Sequence, residues 1–115
     1  MKSLFLKSQG NNPKNRIWEF LIVFREYDYN IKDIAKNSKI SYSSAKRLIK
    51  DFLKKGIVIQ TREIGNAKMY KLDIKSNVVK KFMDFFWAVV DSESELNEGN
   101  VEDYASASIG PVSAI

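Results

Sequence analysis

The strongest periodic pattern in the chain lies between Ser41 and Gly56, and it fits an α-helix with two very different sides. Apolar residues there follow one another at helical intervals, at Ala45, Leu48, Ile49, Phe52 and Leu53. That spacing places them along one side of a helix. Serine is favourable just before a helix, and glycine is typical just after one. The pattern predicts a strongly amphipathic helix over residues 42–55 whose apolar side is buried.

The polar side of this predicted helix is rich in cations and hydroxyl groups. At about 100° per residue, the side opposite the apolar residues holds Ser43, Arg47, Lys50 and Lys54, flanked by Ser44 and Lys46. Asp51 is the one acid on that surface. Such a side is either ordinary solvated surface or a surface for phosphates and base edges. The neighbouring segments favour the second interpretation.

Those segments predict a short series of helices followed by a hairpin. Asn12 before Pro13 is a favourable helix start, and residues 27–30 fit a short extended stretch. The remaining patterns predict helices over 16–26 and 31–37, strands over 57–63 and 68–73 around a Gly-Asn turn, and a last helix over 77–90 or a few residues beyond. The expected divisions are an N-terminal arm (1–12), one domain (13–91) and an acidic flexible tail (92–115).

This order of elements predicts the fold class. It is mainly α with a small β-hairpin (α+β): a winged helix-turn-helix with a three-helix core, a wing and a C-terminal dimerisation helix. The helix over 31–37 and the helix over 42–55 must cross steeply, and small or single apolar residues at Ala35 and Ile40 allow them to pack closely. The helix over 42–55 has a width that suits the major groove of B-DNA.

Charge is distributed very unevenly along the chain, and the missing residue types exclude several functions. Residues 1–81 hold all 19 Lys and Arg with 7 acids, whereas residues 82–115 hold 7 acids and no cation. A basic body favours a polyanionic partner. The chain has no cysteine and no histidine, so we expect no enzyme, no cofactor and no metal site. The longest uncharged run, 104–115, is too short to span a membrane, and the expected location is cytoplasmic and nucleoid-associated.

Two stretches resemble the winged helix-turn-helix core of small prokaryotic regulators of the MarR and ArsR type, especially compact archaeal members. Residues 31–58, IKDIAKNSKISYSSAKRLIKDFLKKGIV, are similar to the segment from the second helix to the wing, and residues 61–72, TREIGNAKMYKL, are similar to the wing. The resemblance covers about residues 13–87. One departure is Lys39, which stands where glycine is usual and where a positive φ is often needed. The resemblance implies dimeric, sequence-specific binding to double-stranded DNA as a transcriptional regulator.

The candidate DNA-binding residues lie on the helix over 42–55 and on a wing over about 62–68. They are Tyr42, Ser43, Ser44, Lys46, Arg47, Lys50, Lys54, Arg62 and Lys68. We predict that Arg47 reads a base, because its planar fork can pair with guanine O6 and N7. The lysines of the helix are predicted to bind phosphates and to supply salt-dependent affinity.

The first and last predicted helices of the domain, together with an apolar patch in the N-terminal arm, hold more large apolar residues than one core needs, which predicts a homodimer. The candidate interface residues are Leu4, Phe5, Trp18, Phe85, Phe86 and Trp87. Phe20, Phe24 and Phe82 fit the core of a single chain better. Two alternatives to a regulator stay open: a less specific architectural, replication or segregation protein that binds DNA, and a winged-helix adaptor that binds other proteins.

Overall fold

A computed structural model describes residues 3–100 of the chain, with side chains to residue 96. It contains five helices and one antiparallel hairpin in this range: α1 (Leu4–Gln9), α2 (Pro13–Val23), α3 (Ile31–Ser38), α4 (Tyr42–Lys54), β1 (Val58–Ile64), β2 (Ala67–Leu72) and α5 (Asn77–Asn100). The predicted fold class is confirmed: three helices, α2 to α4, are followed by a wing and a C-terminal helix. Each predicted helix and strand from residue 13 to residue 76 is present, with ends that differ by a few residues.

Side-chain caps fix the starts of the three helices of the helix-turn-helix unit. The side chain of Asn12 accepts a hydrogen bond from the backbone N–H of Asn15, and Pro13 occupies the first turn of α2. Asn30 caps α3 in the same way, and Ser41 caps α4. These caps satisfy backbone donors that have no partner inside the helix. They therefore set where each helix begins and how the chain enters it.

The wing is a two-stranded hairpin, and one of its strands also pairs with the loop before α3. Val58 pairs with Leu72 at its base, and the pairing shifts by one residue between Gln60 and Arg62. This β-bulge leaves Thr61 as the extra residue of β1. At the same level, Tyr29 exchanges two backbone hydrogen bonds with Tyr70, at 2.9 and 2.8 Å. The expected extended stretch before α3 thus forms an isolated antiparallel β-bridge to strand β2 of the wing.

The core of the domain is closed by α1 and α5, which corrects the prediction of an N-terminal arm. Phe5 of α1 is 1% exposed and packs against Phe86 of α5, with ring centroids 4.7 Å apart. Trp18 of α2 stacks on Phe82 at 3.8 Å and contacts Phe52 of α4. The described part of the predicted arm, residues 3–12, is therefore not an appendage, because Phe5 of its helix lies in the core.

The same packing corrects three of the six predicted dimer-interface residues. Phe5, Trp18 and Phe86 are buried within one chain and offer no surface to a partner. These large side chains are needed inside one chain, because α1 and α5 extend the core beyond the three-helix unit. Phe85 and Trp87 stay exposed at 45% and 40%, and Leu4 is half-buried. The prediction for Phe24 is also wrong, because its side chain is 53% exposed.

The last helix is longer than the sequence pattern predicted. α5 continues to Asn100, so residues 92–100, expected to belong to a flexible tail, are helical. Several of these residues, including Glu93, Glu95 and Leu96, have good intrinsic helix propensity, and a helix that is already nucleated extends at low cost. The remainder of the predicted tail, 101–115, lies outside the described residues. Across residues 3–100, no helix is both long enough and apolar enough to cross a membrane.

Candidate nucleic-acid interface

Helix α4 separates its apolar and cationic residues onto opposite sides, as predicted. Its buried residues are Ala45, Leu48, Ile49 and Phe52, whereas Leu53 at the edge is 38% exposed. Its exposed residues include Tyr42, Ser43, Lys46, Arg47, Lys50 and Lys54. Among the described residues, none of these four cations forms a salt bridge. The surface that we call the α4 face, Tyr42 to Lys54 on the exposed side, therefore carries four cations free for an anionic partner.

The acid of α4 does not neutralise this surface. Asp51 forms a salt bridge with Lys55, with an Nζ–Oδ2 distance of 3.0 Å across one helical turn. Lys55 lies just past the end of α4, so the pair lies at the end of the helix nearest the wing. Because both partners are well exposed, this salt bridge contributes little to stability. Its main effect is to direct the carboxylate toward Lys55.

The hydroxyl groups at the start of α4 are partly engaged in the cap. The Oγ of Ser41 accepts from the backbone N–H of Ser44 at 3.1 Å and lies 3.0 Å from the Ser44 hydroxyl. Ser44 is half-buried, and the Oγ of Ser43 lies 3.3 Å from that of Ser41. Ser43 is therefore the more accessible of the two predicted contacts. Both lie at the positive end of the helix dipole, which favours an anion nearby.

The turn before α4 contains a lysine in the left-handed conformation. Lys39 has φ 57° and ψ 48°, the only positive φ outside glycine among the described residues. The departure noted in the sequence is therefore accommodated by the lysine itself adopting the glycine conformation. This turn sets the angle between α3 and α4, which determines how the α4 face is presented.

Arg62 of the wing, a predicted DNA contact, has an intramolecular partner that sequence reasoning missed. Asp28, in the loop before α3, accepts from Arg62 Nε at 2.9 Å and from Nη2 at 3.0 Å. Asp28 also accepts a hydrogen bond from the Thr61 hydroxyl. The hydrogen bonds from Arg62 and Thr61 lower the pKa of Asp28 to about 2. The Arg62 side chain nevertheless remains 60% exposed.

No sequence signal pointed to Asp28, because 34 residues separate it from Arg62 and the bulge at Thr61 has no pattern of its own. Lys68, the other predicted wing contact, is exposed on β2 opposite Glu63. The structure thus brings six predicted residues together on α4, half-buries Ser44 at its start, and places two on the wing that follows it. Within residues 3–100, no cluster of three or more carboxylates could hold a metal ion.

Comparison with solved structures identifies the fold. The chain is similar to the MarR family transcriptional regulator SPO1453 from Silicibacter pomeroyi DSS-3, with a TM-score of 0.60 and 16% identity over 87% of this chain and 71% of that one. It is similar to MepR, a transcription regulator of the Staphylococcus aureus multidrug efflux pump MepA (TM-score 0.58, 16% identity, 84% and 78% covered). It is also similar to Sso10a-2, a DNA-binding protein from Sulfolobus solfataricus (0.51, 16%, 76% and 90%).

These similarities confirm at the level of the fold the resemblance to MarR-type winged helix-turn-helix regulators that the sequence carries. No family model matches the chain, and no curated relative does. The three names describe two transcription regulators and a DNA-binding protein, and none describes an enzyme. Because the identity is 16%, these similarities show the fold alone, and the function has to be inferred from the surface of this chain.

Proposed function

We propose that this protein is a transcriptional regulator that binds double-stranded DNA in a sequence-specific manner. The observation that carries this proposal is the α4 face, where Lys46, Arg47, Lys50 and Lys54 are exposed on a helix anchored by a fully apolar opposite side. A helix that is held rigidly on one side and cationic on the other fits the major groove. The three names of similar structures agree with this function, and a protein with it is expected in the cytoplasm on the nucleoid.

The α4 face contains residues suited to recognising a base and residues suited to binding phosphates. Arg47 points away from the core near the middle of the helix, and its guanidinium can pair with two acceptors of a guanine at once. Lys46, Lys50 and Lys54 offer compact charges suited to phosphates. Tyr42, Ser43 and Ser44 supply hydrogen-bonding groups at the start of the helix, where the dipole favours phosphate. Arg62 and Lys68 of the wing are assigned to the backbone or to the minor groove.

We further propose that the regulator is a homodimer formed along α5. After Phe5, Trp18 and Phe86 are assigned to the core, α5 still exposes large apolar side chains. Val78, Phe85 and Leu96 are 58%, 45% and 61% exposed. Their spacing places them within about 20° of one line along the helix. Trp87, the other exposed interface candidate on α5, lies on the opposite side of the helix and is left out of the proposed surface. A second copy would cover this line, and two α4 helices about 34 Å apart would then read successive major grooves.

Selection of bound sequences from a random duplex pool tests the main proposal. The full chain is expected to enrich one short motif repeated as a palindrome with a centre-to-centre spacing of about 10 base pairs. Titration at several salt concentrations then compares the enriched site with random duplex. A regulator should prefer the enriched site by about 1000-fold or more. Failure to enrich any motif would contradict the proposal.

The two alternatives give different results in the same experiment. An architectural protein would bind random and selected duplex alike, with a strong salt dependence. A protein adaptor would bind neither duplex. The basic body alone is compatible with the architectural alternative. The α4 face, however, combines one arginine, which can pair with a base edge, with three lysines suited to phosphates, and this combination favours a protein that recognises a sequence.

The dimer is tested independently of DNA by sedimentation equilibrium. The wild-type chain should sediment as a dimer, and Phe85→Glu should shift it toward the monomer because the new carboxylate would face the apolar line of a second copy. Lys75→Glu, an exposed substitution ahead of α5, is the matched control and should leave the dimer intact. A monomeric wild-type chain would contradict this part of the proposal.

A further inference from the structure

The Asp28–Arg62 pair joins the wing to the loop before α3 through two hydrogen bonds, of 2.9 and 3.0 Å. One carboxylate oxygen faces Nε and the other faces Nη2 of the guanidinium. This side-on arrangement fixes the plane of the guanidinium as well as its position, unlike a contact with a single ammonium group. Asp28 is largely shielded, since its side chain is 13% exposed. The pair therefore has a more defined geometry than a salt bridge made by a single contact between two exposed side chains.

Two further contacts at the same place show that this is a fixed junction. The hydroxyl of Thr61, the bulged residue of β1, donates to Asp28. The next residue in the loop, Tyr29, forms the two-bond backbone bridge to Tyr70 on β2. The loop thus holds both strands of the wing, one through its carboxylate and one through its backbone. The bulge at Thr61 directs both Thr61 and Arg62 toward the loop.

The pairing leaves one edge of the guanidinium available. Nε and Nη2 each donate to Asp28, whereas Nη1 has no partner among the described residues. The side chain is 60% exposed despite being held at two points. Arginine has five N–H donors, so three of them remain for another acceptor. An arginine whose orientation is already fixed loses less conformational entropy when it binds a phosphate than a mobile one does.

We propose that Asp28 is a positioning residue for DNA binding, which holds Arg62 so that the free edge of its guanidinium contacts a phosphate beside the wing. This role rests on the proposed function, because it names a phosphate of duplex DNA as the ligand of that edge. Asp28 itself does not touch DNA. It carries a negative charge near a surface that binds a polyanion, and that cost is offset by the orientation it gives to Arg62.

Asp28→Asn gives a test in which charge and positioning predict opposite signs. The substitution removes one negative charge, and charge alone predicts tighter DNA binding. Positioning predicts weaker binding, by about fivefold to tenfold, because Arg62 loses its fixed orientation. Glu26→Gln is the matched control, since Glu26 is an exposed acid two residues away with no described partner. It removes the same charge and should leave binding unchanged or slightly tighter.

Affinity for the selected duplex is measured for these variants by salt titration. In Asp28→Asn the slope of log K against log salt should fall by about 1, as expected for one lost phosphate contact. In an Arg62→Ala background, Asp28→Asn should no longer weaken binding. Arg62→Lys keeps the charge but not the planar fork, and should weaken binding about as much as Asp28→Asn. Weakening that persists without Arg62 would overturn the proposal, because a merely structural role produces it.

A measurement without DNA establishes that the contact exists in solution. In the wild-type chain, the Arg62 Nε–H signal in a nitrogen-15 NMR spectrum should exchange slowly with water, and Asp28→Asn should make it exchange rapidly. Duplex binding that Asp28→Asn leaves unchanged or strengthens would overturn the positioning role alone. Absence of duplex binding by the wild-type chain would overturn the proposed function and this role together.

Discussion

Arg16 donates a hydrogen bond from Nη1 to the backbone carbonyl of Lys39, at 2.8 Å. The Nε of the same guanidinium donates to Asn11 at 2.6 Å, so Arg16 joins the segment before α2 to the turn between α3 and α4. In that turn, the N–H of Ile40 bonds to the carbonyl of Ala35 and the N–H of Lys39 to that of Lys36. This is the Schellman pattern that ends many helices, normally with glycine in the left-handed position. Arg16 thus helps to hold a turn that Lys39 enters at a conformational cost.

Replacement of Lys39 by glycine is expected to stabilise the protein. The left-handed conformation costs an ordinary residue about 1–2 kcal/mol, which glycine would relieve. Part of this stabilisation is lost because glycine has more conformational entropy in the unfolded chain. We expect Lys39→Gly to raise the free energy of unfolding by about 0.5–1 kcal/mol, or several degrees in the unfolding temperature. The measurement is thermal unfolding followed by circular dichroism.

The end of α4 offers the reciprocal control. Gly56 has φ 71° and closes the same pattern, with the N–H of Ile57 bonded to the carbonyl of Phe52 at 2.8 Å. A methyl group there would meet no atom within 4 Å, so any cost of Gly56→Ala comes from the backbone alone. It should lower stability by about 1 kcal/mol. If Lys39→Gly also lowers stability, the strain assigned to Lys39 is wrong.

These two turns show which parts of the fold are local enough to be predicted from sequence. Gly56 and Ser41 mark the ends of α4 directly, because capping depends on residues a few positions apart. The amphipathic pattern of α4 likewise predicted the exposed cations. Lys39 gave an ambiguous signal, since lysine has no preference for positive φ.

The features that sequence did not predict depend on distant contacts. The burial of Phe5 depends on α5, whose Phe86 lies far along the chain, and a short apolar patch has no sign of which surface it will meet. Asp28 and Arg62 meet only because the wing folds back beside the loop before α3. Charge patterns report which side of a helix is polar, but they do not report which polar groups are already paired.

The stability contributed by Asp28 is expected to depend on pH only in acid. Its folded pKa of about 2 lies below the ordinary value of 3.8, so the carboxylate form is favoured by folding. A depressed pKa contributes stability above the unfolded value, and this is lost as the pH falls through the folded one. The difference in unfolding temperature between wild type and Asp28→Asn should be constant above about pH 5 and should shrink between about pH 4 and pH 2. A difference that keeps its full size at pH 2 would indicate that it comes from packing and not from the charge of Asp28.

Replacing each of two adjacent phenylalanines of α5 should distinguish a core residue from a residue of the proposed dimer surface. Phe86 is 1% exposed against Phe5, so Phe86→Ala should cost about 3–5 kcal/mol by leaving a cavity. Phe85 is 45% exposed, and Phe85→Ala should lower monomer stability by about 1 kcal/mol or less while raising the dimer dissociation constant. Chemical unfolding at several protein concentrations measures both effects. Equal losses for the two variants would contradict the division between core and interface.

Arg47 and Lys50 lie on the same exposed side of α4 and should affect DNA binding in different ways. Arg47→Ala removes the fork assigned to a guanine, so it should relax preference at one position of the selected site by about 1–3 kcal/mol. Lys50→Ala removes a phosphate contact, so it should weaken all duplexes alike and reduce the salt slope by about 1. Lys75→Ala, which removes an exposed cation outside the α4 face, is the control for net charge. Both effects are measured by titrating each variant against the selected site and its single-base substitutions, and an unaltered preference in Arg47→Ala would assign base reading to another residue.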